Sequence, residues 1–250
     1  MFAHVNEAVD NWRFMGKSPP VEDSAYSQLD TVRWGLPTYR IYPKSKMELT
    51  QYEDSLVIAR IDAKEIDLVN TAVRMGYVLC DTLCYWKGSS QGLPEPLATG
   101  YWMRPIEPKD AQNIAELARN CFEDYRGHYH NDPKMDNSQA TEAYVQWASE
   151  AKTGVVIEHE IYEYPVVYRN IIAFGVFQPD CDLALAGVHS EHSGRGLYSD
   201  LVRACMQWGF RNGKNEISSS TQLENVAVQK VWARLGLSPT NYVYTLHRWP

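Results

Sequence analysis

The sequence lacks the features that would commit it to a membrane or to a nucleic acid. It has no apolar run of the roughly 18 residues that a transmembrane helix needs. Its opening stretch, MFAHVNEAVDNWRF, has neither the basic start nor the apolar centre of a signal peptide. It contains no block rich in Lys and Arg, and its net charge is −7, which disfavours duplex binding. We therefore expect a cytoplasmic protein with no membrane or nucleic-acid partner.

Cysteine is scarce and odd in number. The five cysteines lie at scattered positions, which is typical of a reducing compartment. Cys80 and Cys84 are close in sequence, but they fall in a predicted strand. Four strand steps separate their Cα atoms by roughly 13 Å, which is beyond disulfide reach. The sequence predicts free, buried thiols.

Apolar and aromatic residues are plentiful. Hydrophobic residues make up 44% of the chain, and it has sixteen Tyr and eight Trp. A packed core is expected from this composition. The aromatic residues fit a core and an oligomer interface, or a cleft that stacks on flat rings.

A stretch rich in Gly, Ser and Pro, from Gly88 to Pro96, predicts a boundary between two domains. We place an N-terminal α/β unit at residues 1–90 and a second domain at residues 99–250. In the first unit the pattern predicts a strand at 55–61, a helix at 64–75 closed by Gly76, and a strand at 77–86. Its first 50 residues are aromatic and irregular in pattern.

The second domain has a clearer order of elements. Hydrophobic periodicity predicts strands at 100–106, 154–161, 166–177, 182–189, 216–221 and 242–248, and helices at 109–122, 138–151, 196–211 and 225–235. A hairpin-rich half followed by a β-α-β crossover predicts a mixed, mainly antiparallel sheet flanked by helices. The strand, helix, Gly76 and strand of the first unit echo the strand, helix, Gly236 and strand at the end. The smaller unit is thus interpreted as a degenerate half-copy of the second domain.

The segment LALAGVHSEHSGRGLYSDLV, residues 183–202, carries the clearest functional signal. An apolar strand enters a turn containing Gly194 and Gly196, and the turn opens a helix. The first amides of a helix have no internal partners and attract anions, so this turn predicts a phosphate site that needs little net positive charge. Arg195 adds one charged contact. An ordinary strand-to-helix connection is the alternative, because a Gly-x-Gly turn alone is common.

These residues resemble the acyl-CoA-binding motif of the Gcn5-related N-acetyltransferase (GNAT) superfamily, Gln/Arg-x-x-Gly-x-Gly/Ala after a splayed strand. Gly196 matches the middle Gly, whereas Ser193 and Tyr198 depart from the first and last positions. The family's next motif, Asn-x-x-Ala-x-x-x-Tyr-x-x-x-Gly-Phe, is matched at Asn225 and Gly236. At the position of its Tyr, which often protonates the leaving thiolate, stands Trp232.

The resemblance implies an α/β GNAT fold and direct transfer of an acyl group from acyl-CoA to an amine, without an acyl-enzyme. The residues that it assigns to the coenzyme are Ala186, Val188, Ser193, Gly194, Arg195, Gly196, Leu197, Tyr198, Asn225 and Trp232. The acyl group is acetyl or a larger group such as 3-hydroxybutanoyl.

A narrower resemblance covers most of the chain. The segment YRGHYHNDPKM and the helix after it are similar to dTDP-amino-dideoxyhexose N-acyltransferases, which also carry a comparable N-terminal extension. The acceptor implied is a nucleotide-linked, dTDP-type amino sugar for surface polysaccharide biosynthesis, and a homodimer is expected. Four residues are assigned to this acceptor: Arg126, His130, Asp132 and Gln222. Alternatives are N-acetylation of another small amine or peptide N-terminus, and a non-catalytic acyl-CoA-binding module.

The chemistry requires a neutral amine and a stabilised oxyanion. The assigned catalytic residues are His189 at the end of the motif strand, Asn225 as the cap of the following helix, and Asp132. For the base, five candidates remain open: His189, His130, Asp132, Glu158 and His159. His128, His130 and Asp132 alternate as metal ligands on one strand would, but Pro133 indicates a loop and no fourth ligand follows. No metal is expected.

Overall fold

A computed structural model describes residues 25–91, 100–163 and 165–250 of the chain. It divides into two compact units. The described part of the first unit comprises residues 25–82, 127–136 and 242–250, and that of the second comprises the other described residues. The predicted boundary between residues 90 and 99 stays a prediction, because residues 92–99 lie outside the described ranges.

The first unit is a small α/β assembly. It contains α1 (Gln28–Trp34), β1 (Thr38–Ile41), α2 (Lys46–Leu49), β2 (Leu56–Asp62) and α3 (Ile66–Arg74). The irregular sequence pattern of the first 50 residues predicted no elements, yet α1, β1 and α2 form between residues 28 and 49. Ser27 caps α1 by accepting a hydrogen bond from the Asp30 amide, and Gly35 ends it with a φ of 74°. Residues 1–24 lie outside the described ranges.

Two strands lie partly in each unit. β3 (Val78–Ser89) and β9 (Ser238–Arg248) each contribute residues to both units. In the first unit, β1 pairs with β2 in parallel and β2 pairs with β9 antiparallel, from Val57↔Arg248 to Asp62↔Val243. Leu49, Val57, Ala72 and Leu246 are buried in its core.

The second unit holds the predicted succession of strands and helices. Its remaining elements are β4 (Trp102–Pro105), α4 (Ala111–Phe122), α5 (Asn137–Ser149), β5 (Gly154–Glu163), β6 (Val166–Phe177), β7 (Leu183–Val188), α6 (Leu197–Arg211), β8 (Glu216–Gln222) and α7 (Val226–Arg234). β4, β5, β6 and β7 form an antiparallel sheet in that order, and β8 pairs antiparallel with the end of β3. The expected mixed α/β fold, with mainly antiparallel sheets and flanking helices, is confirmed.

The internal echo is regular in three dimensions as well as in sequence. β2 and β8 start at residues 56 and 216, α3 and α7 at 66 and 226, and β3 and β9 at 78 and 238, an offset of 160 each time. Gly76 and Gly236 follow the two helices with φ angles of 86° and 84°. The strand registers obey the same offset, because Val57↔Arg248 in one ladder corresponds to Ile217↔Gly88 in the other.

No helix in the described ranges combines the length and apolar character that crossing a bilayer requires. All five cysteines are free, as expected, and Cys80 and Cys84 are buried in β3.

Candidate active site

β7 presents an open edge to its surroundings. It is the edge strand of the four-stranded sheet, paired with β6 on one side. The His189 amide donates to the Ile172 carbonyl at 2.8 Å. Because hydrogen-bonded and non-hydrogen-bonded pairs alternate along an antiparallel ladder, the backbone groups of Ala186 and Val188 point away from β6. Two of the predicted coenzyme contacts therefore offer backbone donors on the edge of a strand.

The neighbouring strand β8 meets β7 only where both begin. Asp182 and Ser218 form a parallel bridge, and the Ser219 hydroxyl donates to the Leu183 carbonyl at 2.7 Å. Beyond this point, no ladder hydrogen bond joins β7 to β8 in the described part of the chain. The two strands thus leave a slot along Ala186 and Val188, which agrees with the splayed strand predicted from the sequence.

The turn after β7 has the backbone geometry of an anion site. Residues 190–192 form a short 3-10 helix, and Gly194 and Gly196 then adopt left-handed φ angles of 76° and 86°. α6 begins at Leu197, and Gly196 stands at its N-cap, where it has no side chain to bond the first amides. Those amides are available to a ligand together with the positive end of the helix dipole.

The side chains assigned to the coenzyme differ in exposure. Ser193 and Arg195 are exposed, and Arg195 donates to the Tyr101 hydroxyl at 3.0 Å and to the Glu191 carbonyl at 3.3 Å. Leu197 is buried in the core instead. Burial raises the pKa of Tyr198, so its phenol stays protonated.

Trp232 is a core residue in this structure. Only 1% of it is exposed, and its ring lies 6.0 Å from that of Trp86 among the buried side chains of β3, α6 and β8. Contact with the coenzyme arm, as the resemblance implies, stays a prediction.

The end of β8 carries a hydrogen-bonded group of polar side chains. Asn225 caps α7 by accepting from the Val228 amide at 3.3 Å, and its amide nitrogen donates to the Thr221 hydroxyl at 3.0 Å. The Gln222 amide donates to the Tyr125 hydroxyl. The Tyr125 ring packs edge-on against Tyr144 at 4.9 Å. No local sequence signal singles out Tyr125, which lies 97 residues from Gln222.

His189 lies at the mouth of the slot. Its Nδ1 accepts a hydrogen bond from the Glu191 amide at 3.3 Å, which assigns the proton of the neutral ring to Nε2. His192 lies beside it, and His159 of β5 and Tyr101 lie beside His192. The His159 and His192 rings are 5.2 Å apart, and the His189 and His192 rings are 6.1 Å apart.

Glu158 is held in an ion pair. Its carboxylate accepts from Arg104 at 2.7 Å, and Arg104 also makes two bonds to Asp110, at 2.7 and 2.8 Å. The hydrogen bonds that Arg104 donates to Asp110, above all, raise the pKa of Arg104 despite its burial, and the same bonds lower the pKa of Asp110. This arrangement favours a structural role for Glu158 over that of a base.

Pro133 indicated a loop around His130 and Asp132, and residues 127–136 form part of it. This segment belongs to the first unit, and His128, His130 and Asp132 are buried within it. His130 Nδ1 accepts from the Gly127 amide at 3.3 Å. Arg126, which precedes the segment in the second unit, is exposed, and its guanidinium donates to the Tyr125 carbonyl.

Asp132 organises a buried polar chain in the first unit. Its carboxylate accepts from His247 Nδ1 at 2.7 Å and from Trp249 Nε1 at 2.9 Å, and His247 Nε2 contacts His128 Nδ1 at 2.8 Å. Burial raises the pKa of Asp132, but the His247 bond and its other donors outweigh this and leave it lowered. Both oxygens of the group have protein partners, since the second accepts from the Lys134 amide.

One group in the described residues has metal-ligand spacing. Cys80, Asp132 and His247 each place one ligand atom within 4.8 Å of the others. Burial raises the pKa of the Cys80 thiol to about 12, and the other two residues are bonded to each other. Because metals bind the thiolate and an unprotonated imidazole nitrogen, we interpret this group as hydrogen-bonded protein structure.

A strand edge with backbone donors lies beside a left-handed glycine turn, as the resemblance to acyltransferases implies, and a family model matches this part of the chain. The acetyltransferase (GNAT) domain model matches residues 101–238, more than half of the chain. The chain belongs to the GNAT acetyltransferase family, whose members transfer acyl groups from acyl-CoA to an acceptor amine.

One curated relative is the spore coat polysaccharide biosynthesis protein SpsD of Bacillus subtilis (strain 168). It is 26% identical over 154 residues, which are 58% of this chain and 50% of SpsD. The chain thus spans about half the length of this relative.

Solved structures share the fold at low identity. A GCN5-related N-acetyltransferase from Sphaerobacter thermophilus has a TM-score of 0.53 at 14% identity, covering 77% of this chain and 59% of that one. A tandem GNAT protein from the clavulanic acid biosynthesis pathway has a TM-score of 0.51 at 15% identity, covering 86% and 75%. A functionally unknown conserved protein from Staphylococcus epidermidis ATCC 12228 has a TM-score of 0.54 at 11% identity, covering 95% and 96%.

Proposed function

We propose that this enzyme acylates the amine of a nucleotide-linked amino-dideoxy sugar, of the dTDP type, for surface polysaccharide biosynthesis. The observation that carries the acyl-transfer part is the open edge of β7 beside the turn at Gly196. Support for a sugar acceptor comes from the similarity to SpsD, a spore coat polysaccharide biosynthesis protein, and from the resemblance in the sequence around Arg126. A homodimer and a cytoplasmic location remain predictions.

The slot beside β7 supplies the electrostatics of the transfer. The amides of Ala186 and Val188 point into the slot, where one of them donates to the thioester oxygen as it gains negative charge. A donor of this kind typically stabilises a transition state by about 3 kcal/mol. The amides at the start of α6 and the Arg195 side chain hold the coenzyme diphosphate.

Loss of the amine proton requires only a weak base. An amine with a pKa near that of an α-amino group is about one-tenth neutral near pH 7. We propose that His189 accepts the proton at Nδ1, because its 3.3 Å bond to the Glu191 amide is long and easily exchanged. Asn225 fixes the end of β8 beside the slot. Asp132 has a positioning role through its bond to His247.

The residues assigned to the acceptor follow from the resemblance in the sequence. Exposed Arg126 fits a diphosphate, which a guanidinium binds bidentately. Gln222 and His130 are assigned to the sugar. On this proposal the acyl group is acetyl or a larger one such as 3-hydroxybutanoyl.

Release of free coenzyme A thiol, measured with a panel of acyl-CoAs and amino acceptors, tests the proposal. Turnover is expected with dTDP-linked amino sugars. The kcat/KM for free sugars, small amines and peptides is expected to be at least tenfold lower. Preferred turnover of a peptide or an unrelated amine would overturn the sugar assignment. If the protein binds acyl-CoA but releases no coenzyme A thiol with any acceptor, a non-catalytic acyl-CoA-binding module would be favoured instead.

A further inference from the structure

Three histidines and a tyrosine form one cluster beside the coenzyme turn, all within the second unit. We call it the histidine cluster, and its members are Tyr101, His159, His189 and His192. His192 lies at its centre, 5.2 Å from the His159 ring and 6.0 Å from the Tyr101 ring. The charged groups that face His192 are Arg195 and Glu191, from the turn itself. His159 of β5, Tyr101 just before β4 and His189 just after β7 therefore lie around or beside one imidazole of the turn.

His192 has an unused polar atom. Its Nδ1 is buried and has no hydrogen-bond partner in the described part of the chain. Burial, then Arg195 and the other two histidines, lowers the pKa of His192, and Glu191 opposes this only in part. The ring is therefore neutral near pH 7 in the free protein, with a buried nitrogen that gains from a charged or hydrogen-bonding ligand.

The position of His192 in the chain indicates a role for its Nδ1. His192 directly precedes Ser193, which stands where the family motif has Gln or Arg. Arg195 is the cation nearest in sequence, and its guanidinium is already bonded to Tyr101 and to the Glu191 carbonyl. A chain with a net charge of −7 has little background potential to hold a diphosphate, so a local cation is needed.

We propose, on the basis of the proposed function, that His192 takes up a proton from solvent when the coenzyme diphosphate binds at the turn. The imidazolium then provides the positive charge that Ser193 lacks. The phosphate charge stabilises the protonated ring and offsets the repulsion from Arg195 and its histidine neighbours.

Proton uptake on binding fixes the sign of the pH dependence. By linkage, the affinity for the coenzyme rises as the pH falls, by at most about tenfold per pH unit for one proton. The rise ends below the pKa of the free ring, where both states are protonated. The lowered pKa of the free ring places the lower end of this window below the usual histidine value of 6.5.

Calorimetric titration with S-acetyl-3′-dephospho-coenzyme A tests the proposal. This ligand keeps the diphosphate and lacks the 3′-phosphate, whose own second pKa near 6 would confuse the result. Titrations in two buffers of different ionisation enthalpy, at about pH 6, 7 and 8, give the protons taken up per ligand bound. S-Acetylpantetheine, which has no diphosphate, is the control ligand.

The wild-type protein is expected to take up between half a proton and one proton near pH 7 with the diphosphate ligand and none with S-acetylpantetheine. His192→Asn should abolish the uptake and the gain in affinity at low pH. His192→Lys, with a fixed charge, should bind tightly across the range without uptake. His159→Asn, the matched control in the same cluster, should retain the uptake. S-Acetylpantetheine binding and the melting temperature report whether each variant is folded.

Two results separate the inference from the proposed function. Binding of the diphosphate ligand without proton uptake, or uptake that survives in His192→Asn, overturns the role of His192 and leaves the acyltransferase assignment intact. Failure of the folded wild-type protein to bind either ligand overturns both.

Discussion

The side-chain amide of Gln222 donates a hydrogen bond to the hydroxyl of Tyr125, so the end of β8 is tied to the segment that follows α4. Tyr125 is itself wedged against Phe122 and Tyr144, with ring centroids at 5.4 and 4.9 Å. The bond therefore fixes the orientation of a side chain that we assign to the acceptor.

Tyr125→Phe keeps the ring and removes the hydrogen-bond acceptor for Gln222. We expect the KM for the amino sugar to rise several-fold, because Gln222 loses its fixed orientation, while coenzyme affinity is unchanged. The unfolding free energy should fall by about 1 kcal/mol, the usual net value of one hydrogen bond. Tyr168→Phe, which removes an exposed bond to Glu163, is the control and should leave steady-state kinetics unchanged. Equal KM values in both variants would contradict the assignment of Gln222.

Gly196→Asp tests the phosphate site. An added Cβ meets no atom within 4 Å, so the variant should fold, at a cost of about 1–2 kcal/mol for the left-handed φ of 86°. Coenzyme affinity should fall at least tenfold, because a carboxylate then stands where a diphosphate binds. Gly213→Asp has the same kind of backbone, with φ of 73° and open space, and should not change affinity. Unchanged coenzyme titration of Gly196→Asp would rule out the turn as the binding site.

Arg126→Lys and His130→Ala test the acceptor site. A lysine cannot reproduce the bidentate fork of a guanidinium, so Arg126→Lys should raise the KM for the sugar nucleotide with coenzyme binding nearly unchanged. His130→Ala should raise that KM or lower kcat, with a loss of stability because its buried ring bonds the Gly127 amide. Arg119→Lys, at an exposed pair with Glu142, is the control. If Arg126→Lys and His130→Ala both match the wild type, the nucleotide-sugar assignment loses its support in this segment.

Trp232→Phe should keep the rate within about tenfold. The leaving thiolate has a pKa comparable to that of Cys, about 8.5, and can depart without an acid, while phenylalanine retains a flat ring. Trp232→Tyr, which places the family's usual residue at this position, should not greatly raise kcat. Trp232→Ala should lower the unfolding free energy by about 3–5 kcal/mol, because this ring is buried in the core, and should alter acyl preference more than pH dependence. A folded Trp232→Phe that binds coenzyme but does not turn over would show that the indole N–H is required.

Stability should fall in mild acid. Burial, above all, lowers the pKa of His247, and burial followed by repulsion from His247 lowers that of His128 well below the usual 6.5. Below about pH 6.5 the unfolded chain therefore binds more protons than the folded one. The unfolding free energy should drop by up to about 1.4 kcal/mol per pH unit for each ring. Urea denaturation between about pH 7 and 5 should give a shallower slope in His128→Gln, and an unchanged slope would contradict the neutral state of His128.

Local signals explain why most elements could be predicted from the sequence. Gly76 and Gly236 mark the ends of helices α3 and α7 in the sequence. The glycine turn after β7 requires a backbone conformation that few other residues adopt. The slot beside β7 followed from the family resemblance, and its geometry agrees.

The buried polar chain could not be predicted in the same way. The sequence indicates only a loop at Asp132 and His128, because their partner His247 is more than 100 residues away and contacts them only after folding. Tyr125 and the histidine cluster are equally non-local. The segment from Gln28 to Leu49 has helices of only seven and four residues, too short for a periodic pattern.

The repeated ladders also determine how this chain can be divided. A fragment beginning at residue 99 would lack residues 83–89, which pair with β8, and would expose the backbone groups of that strand as a bare edge. The complementary fragment would lack Val243–Arg248 and expose β2 in the same manner. Each fragment would thus have an unpaired strand edge, and the strand that normally pairs with it would be on the other fragment. A fragment that begins at residue 99 is therefore best produced together with the N-terminal residues, either on one chain or as two co-expressed fragments.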